Sequence, residues 1–369
     1  MSPEGASYRA AGVDYEVLDA GKRLAIAAAL STSPLLAARG GAARDDSRGE
    51  PAFVFELGGR SFAFVVEGLG TKSMVARQVF EALGVNRFAD VAYDAVAAIV
   101  NDLCCTGAEP LVANAYFATG ASEWYADADR AGALIEGWRR ACEDAGCAWG
   151  GGESPTLPGL LDEREIELAG AAVGVLPEGR EPLLGERLGA GDEIVLVAST
   201  GLHANGASLA RLLAARAPDG YATALPSGRR LGEALLDPAP VYAGLIAAVL
   251  AAGVQLTYIS HITGHGLLKL MRPSRPFTYA IERLPPVPEV LAWLADAARL
   301  DPAAAYSTFN MGAGLALYCA AGSGERVIAV ARELGIDALV AGTVREGERQ
   351  VLLEPLGVRY ASEQLELSA

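Results

Sequence analysis

Short apolar runs, typical of buried strands, alternate with longer helical stretches along the whole chain, and this alternation most constrains its fold. The run 61–66 and the centre of 192–198 are apolar, as expected of strands buried on both faces. Helical patterns occupy 72–83, 90–105, 126–146, 205–216, 230–252, 288–298 and 324–334, and further strand patterns occupy 277–282, 313–319 and 338–344. Each half therefore mixes strands and helices, which favours an α/β or α+β fold for both.

A chain of 369 residues is long for a single core and predicts two domains. The stretch 176–190 contains two prolines and three glycines, as interdomain linkers often do. We therefore expect an N-terminal domain over 1–178 and a C-terminal domain over 179–369. The stretch 40–51 and the last 15 or so residues read as a mobile loop and a loosely held tail.

The charge balance limits the partners. Thirty Lys and Arg face 45 Asp and Glu, for a net charge of -15, so the surface repels polyanions and disfavours nucleic acid. A small phosphorylated ligand would need local compensation by a cation or by backbone N–H groups. Prolines interrupt the uncharged stretch 238–260, which argues against a membrane span. Acids precede the apolar run 24–30, the wrong order for a signal peptide, so we expect a cytoplasmic protein.

A glycine-rich turn connects the apolar run 61–66 to the helix predicted at 72–83. The sequence Glu67-Gly68-Leu69-Gly70-Thr71-Lys72 lacks the spacing of a Walker A loop. Its glycines nevertheless let the backbone approach a phosphate, and Lys72 supplies charge. A purely structural turn explains the same pattern.

The helix at 90–105 carries Asp94, Asn101 and Asp102 among aliphatic residues. At about 100° per residue, Asp94 and Asn101 lie within roughly 20° of one another, and Asp102 lies about 80° from Asp94. A solvated stripe and a buried oxygen cluster for Mg²⁺ both fit this pattern. Glu153 follows three glycines in a tight loop. Alone it reads as a surface acid, and it indicates a metal–nucleotide site only together with Asp94 and Asp102.

All three histidines lie in polar, glycine-rich loops, His203 in one and His261 with His265 in another. A lone histidine usually has a structural role. Because all three histidines lie in such loops, a ligand contact by at least one of them is as well supported as a purely structural role. No suitable cysteine or acid accompanies His261 and His265, so zinc is disfavoured. The loop 308–314 is either a backbone-approach loop or a bulge.

The order of these motifs resembles that of the aminoimidazole ribonucleotide (AIR) synthetase family over about residues 7–345. The matching segments are YRAAGVD at 8–14, EGLGTK at 67–72, NDLCCTGAEPL at 101–111, YFATG at 116–120, GGESPTLPG at 151–159, GLHANGASL at 201–209, HITGHGLL at 261–268 and TFNMGAG at 308–314. Together they identify the chain as a member of that family or a close paralogue.

The resemblance implies a two-domain fold in which the N-terminal domain dimerises through its sheet into a shared β-barrel and the C-terminal domain is an α/β sandwich. It implies a homodimer that binds ATP and Mg²⁺ near that interface and acts on a small phosphorylated substrate. The implied reaction converts formylglycinamidine ribonucleotide and ATP to AIR, ADP and phosphate, by phosphorylation of the formamide oxygen and closure of the imidazole ring.

The same resemblance assigns roles to individual residues. The implied metal ligands are Asp94, Asp102 and Glu153. The implied catalytic residues are Lys72, His203, Asn205 and His261. The implied nucleotide and cofactor contacts are Glu67, Gly68, Gly70, Thr71, Lys72, Asn101, Gly151, Gly152, Thr263 and Asn310.

Several motif positions depart from the family pattern. Glu67 replaces an aspartate, Ala115 and Thr156 replace acids, Ser307 stands where an arginine is common, and His265 interrupts a triple glycine. A paralogue that activates a different amide with ATP is therefore one alternative, and a catalytically silent scaffold is another. The chain lacks an early reactive cysteine and a C-terminal cysteine, so selenophosphate synthetases and hydrogenase-maturation dehydratases fit poorly.

Overall fold

The computed structural model describes residues 15–365, without the side chains of residues 15–20, 22 and 23, and its strands form two sheets. The motif at 8–14 lies outside the described residues. One sheet is built from strands between residues 41 and 175, and the other from strands between residues 193 and 361.

The first sheet has six strands in the order β1-β2-β3-β6-β4-β5, all antiparallel except the pair β4 and β5. Its strands are β1 (Gly41–Arg44), β2 (Phe53–Leu57), β3 (Arg60–Gly68), β4 (Glu109–Thr119), β5 (Ala148–Glu153) and β6 (Ile166–Val175). The helices of this half are α1 (Tyr15–Thr32), α2 (Lys72–Leu83), α3 (Phe88–Cys104) and α4 (Ala128–Asp144).

Helix α3 lies at the centre of the first half because it is apolar on most of its surface. Its aliphatic side chains, such as Val96 and Ile99, are fully buried against the inner face of the sheet. At Gly137 of α4, a Cβ would lie 2.0 Å from the carbonyl oxygen of Ala89. The two helices therefore approach so closely that only glycine fits at this position.

The second sheet has seven strands in the order β13-β12-β9-β11-β7-β10-β8. Its strands are β7 (Glu193–Ala198), β8 (Leu256–His261), β9 (Phe277–Ile281), β10 (Ala313–Cys319), β11 (Ala338–Glu346), β12 (Gln350–Leu353) and β13 (Val358–Ala361). The helices are α5 (Ala207–Arg216), α6 (Leu231–Ala234), α7 (Ala243–Ala251), α8 (Glu289–Ala297), α9 (Pro302–Thr308) and α10 (Gly324–Glu333). The central strands are buried on both faces of the sheet, and α7 and α10 pack against one of these faces, as in an α/β sandwich.

Three local predictions were wrong. The helix expected over 230–252 is split into α6 and α7 by a non-helical segment at 235–242, which contains Pro238 and Pro240. The expected loop at 40–51 contains β1, which pairs with β2. The expected tail contains β13, which pairs with β12. Asp94 and Asn101, which are distant in sequence, hold the break in the helix, whereas β1 and β13 each pair with the neighbouring strand along the chain.

Within residues 15–365, the first sheet is open, with β1 and β5 at its edges, so one chain does not form a closed barrel. No helix in that range has both the length and the apolar character needed to cross a membrane.

Candidate functional site

The glycine-rich turn joins β3 to α2 and touches the second half of the chain. Gly70 has a φ of 68°, which a residue with a side chain rarely adopts. Thr71 precedes the first residue of α2, and its hydroxyl lies 2.8 Å from that of Ser208 in α5. The predicted nucleotide loop is therefore connected directly to the C-terminal half.

Lys72 and Asp94 form a fully buried ion pair. Lys72 Nζ lies 2.5 Å from Asp94 Oδ2, and neither side chain is exposed. The other carboxylate oxygen of Asp94 accepts a hydrogen bond from the backbone N–H of Ala239 at 2.6 Å. Burial raises the pKa of Asp94, and the Lys72 ammonium and the Ala239 N–H oppose that rise. The pair depends on mutual compensation, since burying either charge alone is costly.

Helix α3 binds the non-helical segment 235–242 along one stripe. Arg87 at its start donates to the carbonyl of Leu236 at 3.1 Å. Asn101 donates to the carbonyl of Pro240 at 2.9 Å and accepts from the N–H of Tyr242 at 2.8 Å. Arg87, Asp94 and Asn101 are seven residues apart, which places them on nearly the same helix face. The stripe therefore holds the two halves together through backbone groups.

Asp102 and His261 form a second contact between the halves, with 2.6 Å between Asp102 Oδ1 and His261 Nδ1. Burial acts to raise the pKa of Asp102, but His261 and the nearby cations outweigh it and hold that pKa below its usual range. Burial and the adjacent Asp102 raise the pKa of Glu67 to about 7. Two carboxyl groups of the predicted site therefore face one another.

Sequence reasoning missed Lys269 and the residues around it. Burial, and then the charge of Arg272, lower the pKa of Lys269 to about 8, while Asp102 and Glu67 oppose that change. Arg272 donates to the carbonyl of Gly49 at 2.6 Å. The sequence signal that could have revealed them is the presence of two cations, Lys269 and Arg272, in the apolar run that follows the His261 loop. Both cations offset the acids beside that loop.

His203 is buried in a strained backbone conformation, with a φ of 58°. The N–H of Thr200 donates to its Nε2 at 3.3 Å, so the neutral ring carries its proton on Nδ1, which has no hydrogen-bond partner among the described residues. Burial, and then Lys72 and His261, keep the pKa of His203 well below its ordinary value of 6.5. A Cβ at Gly314 would lie 1.9 Å from the Tyr242 hydroxyl oxygen and 2.9 Å from His203 Cε1, so that glycine makes room for both side chains.

Asn310 connects two loops. Its side chain accepts from the Ser199 hydroxyl at 2.7 Å and from the Gly312 N–H at 3.0 Å, and it donates to the Gly201 carbonyl at 2.7 Å. Asn205 and Thr263 are half-buried in the loops that contain His203 and His261. Asn310 thus connects its own loop to the loop that contains His203, and its predicted nucleotide contact stays a prediction.

Gly151, Gly152 and Glu153, which were expected in a tight loop, lie on β5 at the edge of the first sheet. Glu153 is exposed, and one of its carboxylate oxygens accepts from the N–H of Ser154 at 3.2 Å. A Cβ at Gly152 would lie 2.0 Å from the carbonyl oxygen of Ala115, so close strand packing accounts for this glycine.

The structure does not bring the three predicted metal ligands together. Asp94 faces Lys72, Asp102 faces His261, and Glu153 lies on β5. Among residues 15–365, no group of three or more His, Cys, Asp and Glu side chains is arranged to hold a metal ion. The carboxyl group that interacts with Asp102 is that of Glu67, which was predicted as a nucleotide contact.

Solved structures define the class of this fold. Hydrogenase maturation protein HypE in complex with ATP has 19% sequence identity to the chain and a TM-score of 0.59, with 83% of this chain and 85% of that chain covered. A HypE–HypF complex gives 17% identity and a TM-score of 0.59 over 85% and 92%. At these identities the likeness concerns the two-domain fold alone.

Sequence comparison defines the family. The model of the AIR synthase related protein N-terminal domain matches residues 49–176, and that of the C-terminal domain matches residues 189–353. The chain belongs to the AIR synthase related family.

Two relatives have similar lengths, and a third is a longer protein. A phosphoribosylformylglycinamidine cyclo-ligase from Anaeromyxobacter sp. (strain Fw109-5) is 38% identical over 78% of this chain and 81% of its own length. The protein of that name from Lachnospira eligens is 32% identical over 78% and 82%. The trifunctional purine biosynthetic protein adenosine-3 of Bos taurus is 33% identical over 86% of this chain, which covers 31% of that protein.

Proposed function

We propose that this protein is an ATP-dependent cyclo-ligase that converts formylglycinamidine ribonucleotide to AIR, with release of ADP and phosphate. The observation that carries the proposal is the junction at which the glycine-rich turn, the Asp102–His261 pair and the His203 loop meet between the two halves. The cyclo-ligase relatives, which match most of the chain, support this reaction and substrate.

The reaction joins two steps whose atoms balance. The formamide oxygen attacks the γ-phosphorus of ATP, and the bond to ADP breaks. The amidine nitrogen then attacks the activated carbon, the C–O bond to phosphate breaks, and the nitrogen loses a proton as the ring closes. Phosphoryl transfer of this kind depends mainly on positioning and charge stabilisation.

His261 is the residue best suited to accept the proton of the cyclising nitrogen. Its Nδ1 is held by Asp102 at 2.6 Å, so Nε2 is the ring nitrogen left for proton transfer. A carboxylate in this position fixes the tautomer and stabilises the imidazolium that forms. Neutral His203, together with Asn205 and Thr263, would line the cleft around the substrate.

The role of Lys72 in this proposal is to position the nucleotide loop. Its ammonium is fully buried against Asp94, one residue beyond Thr71 at the end of the turn. The backbone at Gly68 and Gly70 would then face the phosphates. Direct contact between Lys72 and substrate, as the resemblance implies, requires the ion pair to open.

Glu67 and Asp102 are the residues that fit Mg²⁺. Burial and the proximity of Asp102 raise the pKa of Glu67 to about 7, and a cation between two carboxylates relieves such repulsion. Nucleotide-linked Mg²⁺ commonly uses one or two carboxylates and takes its other ligands from phosphates and water. When bound, it would neutralise charge on the phosphates. Asp94 and Glu153 remain predicted ligands without a contact that supports them.

We also propose a homodimer formed through the outer face of the first sheet. Strand pairing places Phe64 and Val66 of β3 on the same face as Tyr116 of β4, and these side chains are 43%, 65% and 36% exposed. The rings of Phe55 and Phe62 stack, with centroids 5.6 Å apart. An apolar face of this kind favours association with a second copy, and two open sheets could then form the shared barrel.

The proposed domain boundary at 178/179 and cytoplasmic location rest on the sequence.

A paralogous function is the second candidate. Ala115, Thr156, Ser307 and His265 depart from the family motifs, and Glu67 extends one methylene further than the family aspartate. These changes favour an ATP-dependent enzyme that activates a different amide. The third reading, a silent scaffold, gains no support from the retained Asp102–His261 pair.

The test incubates purified protein with formylglycinamidine ribonucleotide, ATP and Mg²⁺, and measures ADP and AIR. We expect ATP hydrolysis only with this substrate. Asp102→Asn should lower turnover at least tenfold without loss of fold, because the His261 contact and a proposed metal ligand are both weakened. Asp129→Asn, at an exposed site on α4, is the matched control. ATP binding without AIR formation would favour the paralogue, and no ATP binding would favour the scaffold.

A further inference from the structure

A groove beside the nucleotide loop is lined by hydrogen-bond donors and one guanidinium group. It has a volume of about 470 Å³ and lies between α2 and α5, a size common for small-ligand sites. Its lining residues are Thr71, Gln78, Ser208, Arg211, Leu212, Ala215 and Tyr221. The lining contains no carboxylate.

Arg211 is the charged residue of this groove. Its Nε donates to Gln78 Oε1 at 3.4 Å, and it has no ion-pair partner within the described part of the chain. In contrast, Arg77 of the neighbouring helix is paired with Glu81 and Glu165. Arg211 is half-buried, and its guanidinium group has neither a carboxylate nor a backbone carbonyl as a partner among residues 15–365. Its two terminal nitrogens are therefore available to an anion.

The neighbouring side chains prepare donors for the same anion. The Tyr221 hydroxyl donates to Gln78 Oε1 at 2.6 Å, which occupies the carbonyl of that amide and leaves its NH₂ group free to donate. The hydroxyls of Thr71 and Ser208 lie 2.8 Å apart at the end of the groove next to the nucleotide loop. A guanidinium, an amide and hydroxyl groups are suited to a phosphate monoester.

We infer that this groove binds the phosphate of the ribotide substrate, with Arg211 as its principal contact. The identity of the ligand as a ribotide rests on the proposed function. The position follows from Thr71, which ends the nucleotide loop on one side and lines the groove on the other. The phosphate of the substrate would thus anchor beside the site where ATP acts, and the formamide end would extend towards His261.

The test compares two ligands that differ only in this phosphate. Isothermal titration calorimetry would measure the binding of AIR and of its riboside to the wild-type protein and to Arg211→Met. Loss of a charge-assisted contact should raise the Kd of the ribotide roughly 10- to 100-fold and leave the Kd of the riboside unchanged. Arg211→Lys should recover part of the loss. Arg216→Met, on the exposed last turn of α5, is the matched control and should bind both ligands normally.

A non-hydrolysable ATP analogue should bind every variant equally, which shows that the folded site persists. Equal weakening of ribotide and riboside, or no change in either, would overturn the role of Arg211 while leaving the cyclo-ligase proposal intact. If wild-type protein binds neither compound, the proposed substrate is wrong. Titration with ribose 5-phosphate then tests whether the groove binds a phosphate monoester. Binding that is lost in Arg211→Met supports this role of the groove, and the absence of such binding overturns it.

Discussion

The buried Lys72–Asp94 pair should make a large and strongly coupled contribution to stability. Lys72→Met leaves the Asp94 carboxylate without its cation, and Asp94→Asn leaves the Lys72 ammonium without its anion. Removing one partner of a buried pair typically lowers the free energy of unfolding by about 3–5 kcal/mol. Asparagine keeps an oxygen to accept from the Ala239 N–H, so the loss measures the charge and not the backbone contact.

The double variant Lys72→Met/Asp94→Asn should lose less than the sum of the two single losses, because no unpaired charge remains. Urea unfolding of all four proteins, followed by tryptophan fluorescence at one protein concentration, gives the coupling free energy. The exposed pair Arg139 and Glu136 is the matched control, and we expect little or no coupling there. Additive losses, or single losses under about 1 kcal/mol, would refute the reasoning.

Two further predictions concern His203 and the proposed dimer. His203 is neutral when folded and binds a proton when unfolded, so the free energy of unfolding should fall as the pH drops below 6.5, by up to about 1.4 kcal/mol per pH unit from this residue. His203→Gln should remove that part of the slope in urea titrations between pH 5 and 7, and an unchanged slope would contradict the assignment. Val66→Glu should convert the dimer to a monomer in size-exclusion chromatography with light scattering, because it places a charge on the apolar outer face. An unchanged mass at the same concentration would exclude that face as the interface.

Much of the local structure follows from the sequence, since hydrophobic periodicity records which face of an element is buried. The helix predicted at 72–83 is confirmed, and the one predicted at 90–105 differs from α3 by a residue or two at its ends. The break within 230–252 was missed, although Pro238 and Pro240 signalled it. The segment is held in place by Asp94 and Asn101, which lie far away in sequence.

The predicted site was only partly accessible to sequence reasoning. Helix geometry correctly placed Asp94 and Asn101 on the same face of α3. The periodicity of the sequence, however, does not predict which residues pack against that face. A lysine and a backbone segment lie there, where a metal ion was expected. Asp102, about 80° further around the helix, faces His261 instead. Arg211 belonged to no motif, and its importance comes from a groove formed by two helices.

The most direct test of the central claim follows the oxygen atom of the formamide. Formylglycinamidine ribonucleotide labelled with ¹⁸O in its formyl group would be incubated with ATP, Mg²⁺ and the wild-type protein, and the released phosphate would be analysed by mass spectrometry. We expect one ADP and one AIR per turnover, with the label transferred to phosphate. Unlabelled phosphate, or ADP release without ring closure, would contradict it.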